Sequence, residues 1–184
     1  MATSRNVYNL DTLKTVGFEF NIQRIPNTIF TIQEVNLPGV TLGEVNASYA
    51  TGKTPFAGDT LLYNELNISF LIDETMNNWR EIYNWQRGLA PTRLDTAENQ
   101  YLPLKQSREG IVSDGTLIIM TNEGNPNITV SFKDLFPVSL SDVQFKTTET
   151  SIEVIPATVS FRFTSYDIEI NKALNNKFVP GNII

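Results

Sequence analysis

Three consecutive residues suggest a first piece of chemistry. Gly52, Lys53 and Thr54 stand in the order that ends a phosphate-binding loop. Such a loop also needs an earlier glycine, so that backbone amides can curve around the phosphate, and a helix whose N-terminus faces the anion. Ala47 occupies the position of the earlier glycine, and no helical pattern follows Thr54. We therefore interpret this segment as a surface loop rather than a nucleotide site.

Acidic residues form no pattern that suits catalysis or metal binding. Asp73 and Glu74 are adjacent, whereas glycoside hydrolysis needs two carboxylates that face each other across a sugar. Asp73 is better explained as the N-cap of a helix. Asp95 and Glu98 could ligate calcium, but no dense run of Asp, Asn and Gly surrounds them. The sequence predicts no metal and no cofactor.

The chain contains no histidine and no cysteine. Histidine is the most frequent general base near neutral pH and the most frequent metal ligand, and a cysteine thiolate is a strong nucleophile. A serine–lysine pair stays as an alternative, without a local motif to support it. The composition therefore predicts a protein that is not an enzyme.

Two tryptophans present flat rings that can stack on a sugar or a base. Trp79 and Trp85 are six residues apart, so on a helix they lie on substantially different faces. We expect Trp79 to fill the core. We expect Trp85 to lie in the core or at a subunit contact rather than against a ligand.

The net charge is −6 and the pI is near 4.7. A groove that grips nucleic acid needs clustered Lys and Arg, and the sequence has no such cluster. Residues 1–9 lack an apolar secretion core, and no stretch approaches the roughly 20 apolar residues that span a bilayer. We expect a protein that is made in the cytoplasm and has no membrane anchor.

Short segments in which apolar and polar residues alternate predict half-buried strands. These strands span residues 16–22, 29–35, 40–50, 62–72, 115–121, 128–135, 138–145 and 155–166. We predict that the first two form a hairpin around Pro26 and Asn27. The polar segment 51–59 is either a loop or the tip of a long hairpin.

One substantial helix is predicted, beginning at Asp73 and closed by Gly88 and Pro91. The helix carries an apolar stripe made of Trp79, Ile82 and Tyr83.

Strands dominate, and their connections are mostly too short for parallel crossovers. The expected fold is mainly β, an antiparallel β-sandwich or rolled barrel with one α-helix. The expected domain covers residues 16–170, between an N-terminal arm at 1–15 and a C-terminal extension at 171–184.

Six features, in chain order over about residues 16–168, carry a resemblance to a known family. They are a hairpin ending at Leu37–Gly39, a polar hairpin tip containing Ala57–Asp59, a strand running into Asp73 and Glu74, a helix with Trp79, Trp85 and Gln86, a strand that stops at Phe136 and Pro137, and a last strand ending at Tyr166 and Asp167. Together they resemble the tail tube proteins of contractile-tailed phages of the T4 type.

The resemblance implies a structural subunit of the virion tail that is assembled in the host cytoplasm. Six copies would form a ring in which neighbouring subunits pair their sheet edges, and rings would stack into a hollow tube. The implied partners are further copies of the chain and the tail sheath, baseplate and tail terminator proteins. Viral DNA would pass through the acidic lumen without specific binding, on its way through the host envelope.

The resemblance also suggests which residues build the assembly. The candidate inter-ring loop contains Gly52, Lys53, Thr54, Pro55, Phe56, Gly58 and Asp59. The candidate acids that line the lumen or the stacking surface are Glu34, Glu44 and Glu65. Asp73, Trp79 and Trp85 serve to cap and pack the helix.

Three alternatives to the main tube subunit stay open. The extension at 171–184 and the long irregular segment at 92–113 depart from the family pattern, so an initiator ring or a terminator ring of the same tail is possible. A carbohydrate- or receptor-binding β-sandwich would instead use exposed aromatic residues such as Phe56 or Tyr101.

Overall fold

A computed structural model describes residues 17–49, 52–90, 108–121, 123–146 and 154–170. The strands in these ranges are β1 Phe18–Ile22, β2 Ile32–Val35, β3 Val40–Tyr49, β4 Gly52–Tyr63, β5 Leu66–Leu71, β6 Ser113–Met120, β7 Pro126–Leu140, β8 Pro156–Arg162 and β9 Ser165–Ile170. The helices are a 3-10 helix Pro26–Thr31, the long α1 Asn77–Leu89 and the short α2 Arg108–Ile111. The predicted arms at 1–15 and 171–184 lie outside the described residues, as does most of the irregular segment.

Seven strands form one sheet in the order β1-β6-β7-β8-β5-β2, with β9 added to β7. The strands β3 and β4 pair with each other in a separate two-stranded ribbon. Each of these pairings is antiparallel. The predicted mainly-β antiparallel fold with one substantial α-helix is confirmed. None of the described helices is both long and apolar enough to cross a membrane.

The long strand β7 joins the two halves of the sheet. Its residues 126–135 pair with β6, and residues 128–133 also pair with β9, whereas residues 136–140 pair with β8. Asp134, with φ of 59°, lies where β7 passes from one half to the other. Buried phenylalanines from both halves, Phe20 and Phe132 from one and Phe70 and Phe161 from the other, meet in a single core. The sheet is therefore rolled around its own apolar interior.

The predicted strand end at Phe136 and Pro137 is wrong, because β7 continues to Leu140. The register with β8 shifts between Pro137 and Ser139. Proline is tolerated within a sheet at such an irregularity, where its missing N–H removes no regular hydrogen bond. The predicted strand at 155–166 is in turn two strands, β8 and β9, separated at Phe163 and Thr164.

The predicted hairpin between residues 16–22 and 29–35 is also wrong. Pro26 opens a 3-10 helix instead of a tight turn, since its fixed φ suits the first position of a helix. β1 pairs with β6, and β2 pairs with β5. Ile25 and Thr28 are buried, so the short helix covers one end of the core instead of joining two neighbouring strands.

The long helix α1 begins at Asn77, four residues later than predicted, so Asp73 is not its N-cap. The N-cap position is Met76, whose left-handed φ of 54° prevents the helix from starting earlier. The Asp73 carboxylate nevertheless accepts a hydrogen bond from the Asn77 backbone N–H at 2.7 Å. Asp73 therefore stabilises the helix start from outside the helix.

Candidate assembly surface

The ribbon of β3 and β4 is the feature that stands out from the rest of the domain. Its register runs from Val40 opposite Tyr63 to Tyr49 opposite Gly52. At about 3.3 Å per residue, a strand of 10 residues extends for roughly 30 Å. Residues 52–59 therefore belong to a long hairpin, but they form one of its strands rather than the predicted tip, since Tyr49 already faces Gly52. The candidate inter-ring residues Gly52 to Asp59 lie in the first part of β4, not in a loop.

Apolar residues lie in opposed, exposed pairs along the ribbon. Val45 faces Phe56 across the two strands, and these side chains are 62% and 52% exposed. Leu42 faces Leu61 nearer the base, and both are about half exposed. Directly opposed residues in an antiparallel pair share one face of the ribbon. The two pairs are three residues apart on β3, so alternation places them on opposite faces of the ribbon. Exposed apolar side chains occur on surfaces that bind other proteins.

The base of the ribbon is fastened to the core by aromatic side chains. The Tyr63 ring lies 5.5 Å from the Phe163 ring and 5.4 Å from the Tyr166 ring, centroid to centroid. The Tyr166 ring in turn lies 5.7 Å from buried Phe132. The Tyr166 hydroxyl donates a hydrogen bond to the Pro38 carbonyl at 3.2 Å. The ribbon therefore starts from a fixed point on the domain.

The three candidate lumen acids lie on three different elements. Glu34 is exposed on β2, Glu44 is exposed on the ribbon, and Glu65 lies between β4 and β5. Glu65 forms an ion pair with Arg162 at 3.1 Å, which offsets part of its charge. None of the three side chains is buried. Their place on a lumen or a stacking surface stays a prediction.

The main sheet ends in strands that have partners on one side only within the described residues. β1 and β2 close the strand order, and β9 pairs with β7 alone. Ile168 and Ile170 of β9 lie opposite Val130 and Ile128, yet they are each about half exposed, whereas Val130 is buried. An open strand edge with apolar side chains is a template for pairing with another chain.

The two tryptophans both pack on the core, but to different depths. Trp85 is only 3% exposed and its indole N–H donates to the Ile111 carbonyl at 3.0 Å. Trp79 is half-buried and stacks on the exposed ring of Tyr83, with 5.3 Å between centroids. Trp79, which we predicted in the core, lies at the edge of the core and is only partly buried. Trp85, which we predicted in the core or at a subunit contact, lies in the core.

Side chains that the sequence analysis did not single out hold α1 in place. Arg24 lies 5.0 Å from the centre of the Trp85 ring and donates to the Gly110 carbonyl at 2.7 Å. Burial lowers the pKa of the Arg24 guanidinium. Asn78 is fully buried and hydrogen-bonded to two other elements. An arginine five residues before a predicted strand and an asparagine in a polar helix turn carry no local signal for these contacts.

Comparison with known proteins gives a consistent family. The sequence model described as phage tail tube protein matches residues 6–169. The chain is 27% identical over 162 residues to the tail tube terminator protein of Enterobacteria phage T4, across 84% of this chain and 88% of that protein.

Solved structures share the fold. A chain from the cryo-EM structure of the anti-feeding prophage tube terminating cap has a TM-score of 0.58 and 13% identity, covering 92% of this chain and 98% of that one. A chain from the sheath-tube complex of the PVC extracellular contractile injection system has a TM-score of 0.55 and 12% identity, covering 93% and 99%. At these identities the likeness establishes the fold alone.

Proposed function

We propose that this chain, which belongs to the phage tail tube protein family, forms the ring that terminates a tail tube rather than the repeated rings along its length. As a phage tail protein it is a component of the virion. The observation that carries the proposal is its identity to the T4 tail tube terminator protein, which extends over most of both chains. The similarity therefore favours the terminator alternative over the main tube subunit that the sequence analysis put first.

The fold offers surfaces suited to both contacts that a terminating ring needs. Within the ring, the one-sided strands β1, β2 and β9 supply edges that neighbouring copies can pair, in the expected ring of six. Toward the tube, the ribbon with its exposed pair Val45 and Phe56 supplies an apolar surface for the last tube ring. Stacked rings contact each other through two different surfaces, top to bottom, so such a stack grows without limit. A terminator ring would stop growth because its outer surface does not accept another ring.

The charge of the chain fits a channel component. With a net charge of −6 it offers phosphate groups little attraction, so DNA can pass without being held. The partners of the terminating ring would be copies of the chain, the tube end, and the sheath around it. A role in the baseplate would belong to an initiator ring instead.

Electron microscopy tests the proposal directly. The purified chain is concentrated alone, and separately mixed with tail tubes of the same phage that lack their terminator. We expect isolated rings of sixfold symmetry in the first sample. In the second we expect one extra ring at one end of each tube, and no further growth when free tube subunits are added.

Two outcomes would contradict the proposal. Long tubes made of this chain alone would identify it as the main tube subunit. Small particles that neither form rings nor bind a tube end would favour the carbohydrate- or receptor-binding alternative.

A further inference from the structure

We propose that a bulge formed by Gly43 and Gly58 sets the angle of the outer half of the ribbon, and thereby positions its apolar pair on the partner ring. This inference rests on the proposed function, because it assigns a positioning role within the docking contact. It adds a residue-level requirement that neither the fold nor the family assignment contains.

The register of the ribbon breaks at one place. Leu42 faces Leu61 and Glu44 faces Ala57, so two residue steps on β3 are matched by four on β4. The additional residues of β4 lie opposite Gly43. Extra residues in one strand of an antiparallel pair bend that strand and increase the local twist, and this often re-aims a side chain beyond the bulge.

Glycine at position 58 is a steric requirement of this bulge. A Cβ atom on Gly58 would lie 2.6 Å from the Gly43 carbonyl oxygen and 2.8 Å from the Gly43 carbonyl carbon. These are backbone atoms and cannot rotate away as a side chain would. A Cβ atom on Gly52, in the same strand, would meet nothing within 4 Å. The two glycines of β4 are therefore a test site and a matched control.

The bulge divides the ribbon into two parts with different support. The inner part, between Val40 and Leu42 on β3, adjoins the aromatic contacts of Tyr63. The outer part, residues 44–49 and 52–57, has no buried side chain among those described, and carries Val45 and Phe56. The outer part is thus not packed into the core, and its direction follows from the geometry at the bulge.

Two variants change the bulge in different ways. Gly58→Ala forces β3 and β4 apart at the bulge. Deletion of Asp59 and Thr60 removes the bulge, because β3 and β4 then have the same number of residues between the two paired positions. Because these residues lie outside the core, we expect the core to stay folded in both variants and the melting temperature to fall by no more than a few degrees. The fraction of tube ends that carry a ring, counted by negative-stain electron microscopy on terminator-free tubes, should fall by about tenfold or more for both.

Gly52→Ala is the control for adding a methyl group to β4, and it should lose clearly less tube-end binding than Gly58→Ala. If Gly58→Ala fails to fold, the deletion variant decides the matter. Wild-type occupancy for a folded Gly58→Ala variant and for the deletion would overturn the inference, and so would an equal loss for Gly52→Ala. A wild-type chain that does not bind tube ends would instead overturn the proposed function, which separates the two failures.

Discussion

At the scale of single residues, Asn78 connects three parts of the fold. Its side-chain amide donates to the Leu71 carbonyl at 2.7 Å and to the Thr31 hydroxyl at 3.1 Å. Its side-chain oxygen accepts from the Trp79 backbone N–H at 2.8 Å. A buried polar group that keeps its partners holds elements in register, whereas a lost partner leaves a buried group without a hydrogen bond.

Asn78→Ala should therefore lower the free energy of unfolding by about 3 kcal/mol, because it leaves buried partners of the amide unsatisfied. Asn77→Ala is the control, since Asn77 is exposed and its side chain donates to the Thr75 hydroxyl. The control should change stability by less than about 0.5 kcal/mol. Urea unfolding followed by tryptophan fluorescence measures both, and equal losses would contradict this role of Asn78.

Lys133 and Asp114 form a surface ion pair at 2.6 Å. The hydrogen bond that Lys133 donates to Asp114, followed by the charge of Asp114, raises the pKa of Lys133 above its usual value of 10.5. A group whose pKa is raised on folding stabilises the folded state below its unfolded pKa. That stabilisation is lost as the pH rises through the folded pKa. The pair should therefore stabilise the fold at neutral pH and cease to do so as the pH rises through the folded pKa of Lys133, which lies above 10.5.

Asp114→Asn should move the pKa of Lys133 down toward 10.5 in an NMR titration of labelled lysine. Asp167→Asn is the matched control, because Asp167 raises that pKa least among the contributing groups. A larger change with the Asp167 variant would contradict the assignment of the hydrogen bond to Asp114.

At the scale of elements, the bend in β7 decides how the sheet closes. Asp134 has a left-handed φ of 59°, and its backbone N–H donates to the Asp114 carboxylate at 3.3 Å. Aspartate and asparagine tolerate this region better than most side chains, and glycine adopts it without strain. Asp134 therefore makes the bend without requiring a glycine.

Asp134→Ala should be less stable than Asp134→Gly by about 1 kcal/mol, because alanine is strained at positive φ. Both variants remove the same carboxylate, so their difference isolates the backbone. Chemical denaturation measures it. Equal stabilities would mean that residue 134 leaves the left-handed conformation and adopts ordinary strand angles when its side chain changes.

The register of the ribbon can be tested with engineered disulfides, since the chain has no native cysteine to compete. Val45→Cys combined with Phe56→Cys should form a crosslink on mild oxidation, because opposed Cα atoms are about 4.5–5.5 Å apart. Val45→Cys combined with Ala57→Cys should not, because Ala57 faces Glu44 on the other side of the ribbon. Mass spectrometry with and without reductant detects the crosslink in each double variant. A crosslink between positions 45 and 57 but not between 45 and 56 would mean that the register is shifted by one residue.

At the scale of the whole molecule, the chain combines a buried core with a largely exposed ribbon. The core lies between the halves of the rolled sheet, while the ribbon projects from an aromatic base and buries little of its own surface. Changes on the ribbon should therefore separate assembly from folding. That separation is what distinguishes a docking surface from a structural one.

Phe56→Asp should leave the melting temperature unchanged and abolish ring binding at tube ends, because it places a charge in the exposed apolar pair. Asn46→Asp is the control. It adds the same charge next to Val45, but Asn46 pairs with Pro55 on the opposite face of the ribbon. It should retain most of the binding. Equal loss for both variants would point to net charge rather than to the apolar pair.

The sequence by itself determined the strand content, the helix and the family. Alternation in Leu66–Leu71 identified a strand whose buried and exposed residues alternate as predicted. The spacing of Trp79, Ile82 and Tyr83 indicated a helix that packs on the core, although Tyr83 is exposed and Trp85 is buried instead. Both signals are local, because a strand or helix places its own side chains with a fixed period. The order of such elements was enough to indicate the tail tube family.

Only the tertiary structure decided which strands pair, where α1 begins, and how β7 bends. Pairing of β1 with β6 instead of β2 joins residues far apart in the chain, and alternation does not encode the partner. The left-handed Asp134 donates its backbone N–H to Asp114 of β6, whereas the left-handed Met76 closes a local turn onto the Asp73 carbonyl. Continuation of β7 through Pro137 depends on a bulge against β8. The strand pairing and the course of β7 rest on non-local contacts, which a local pattern of residue types does not contain.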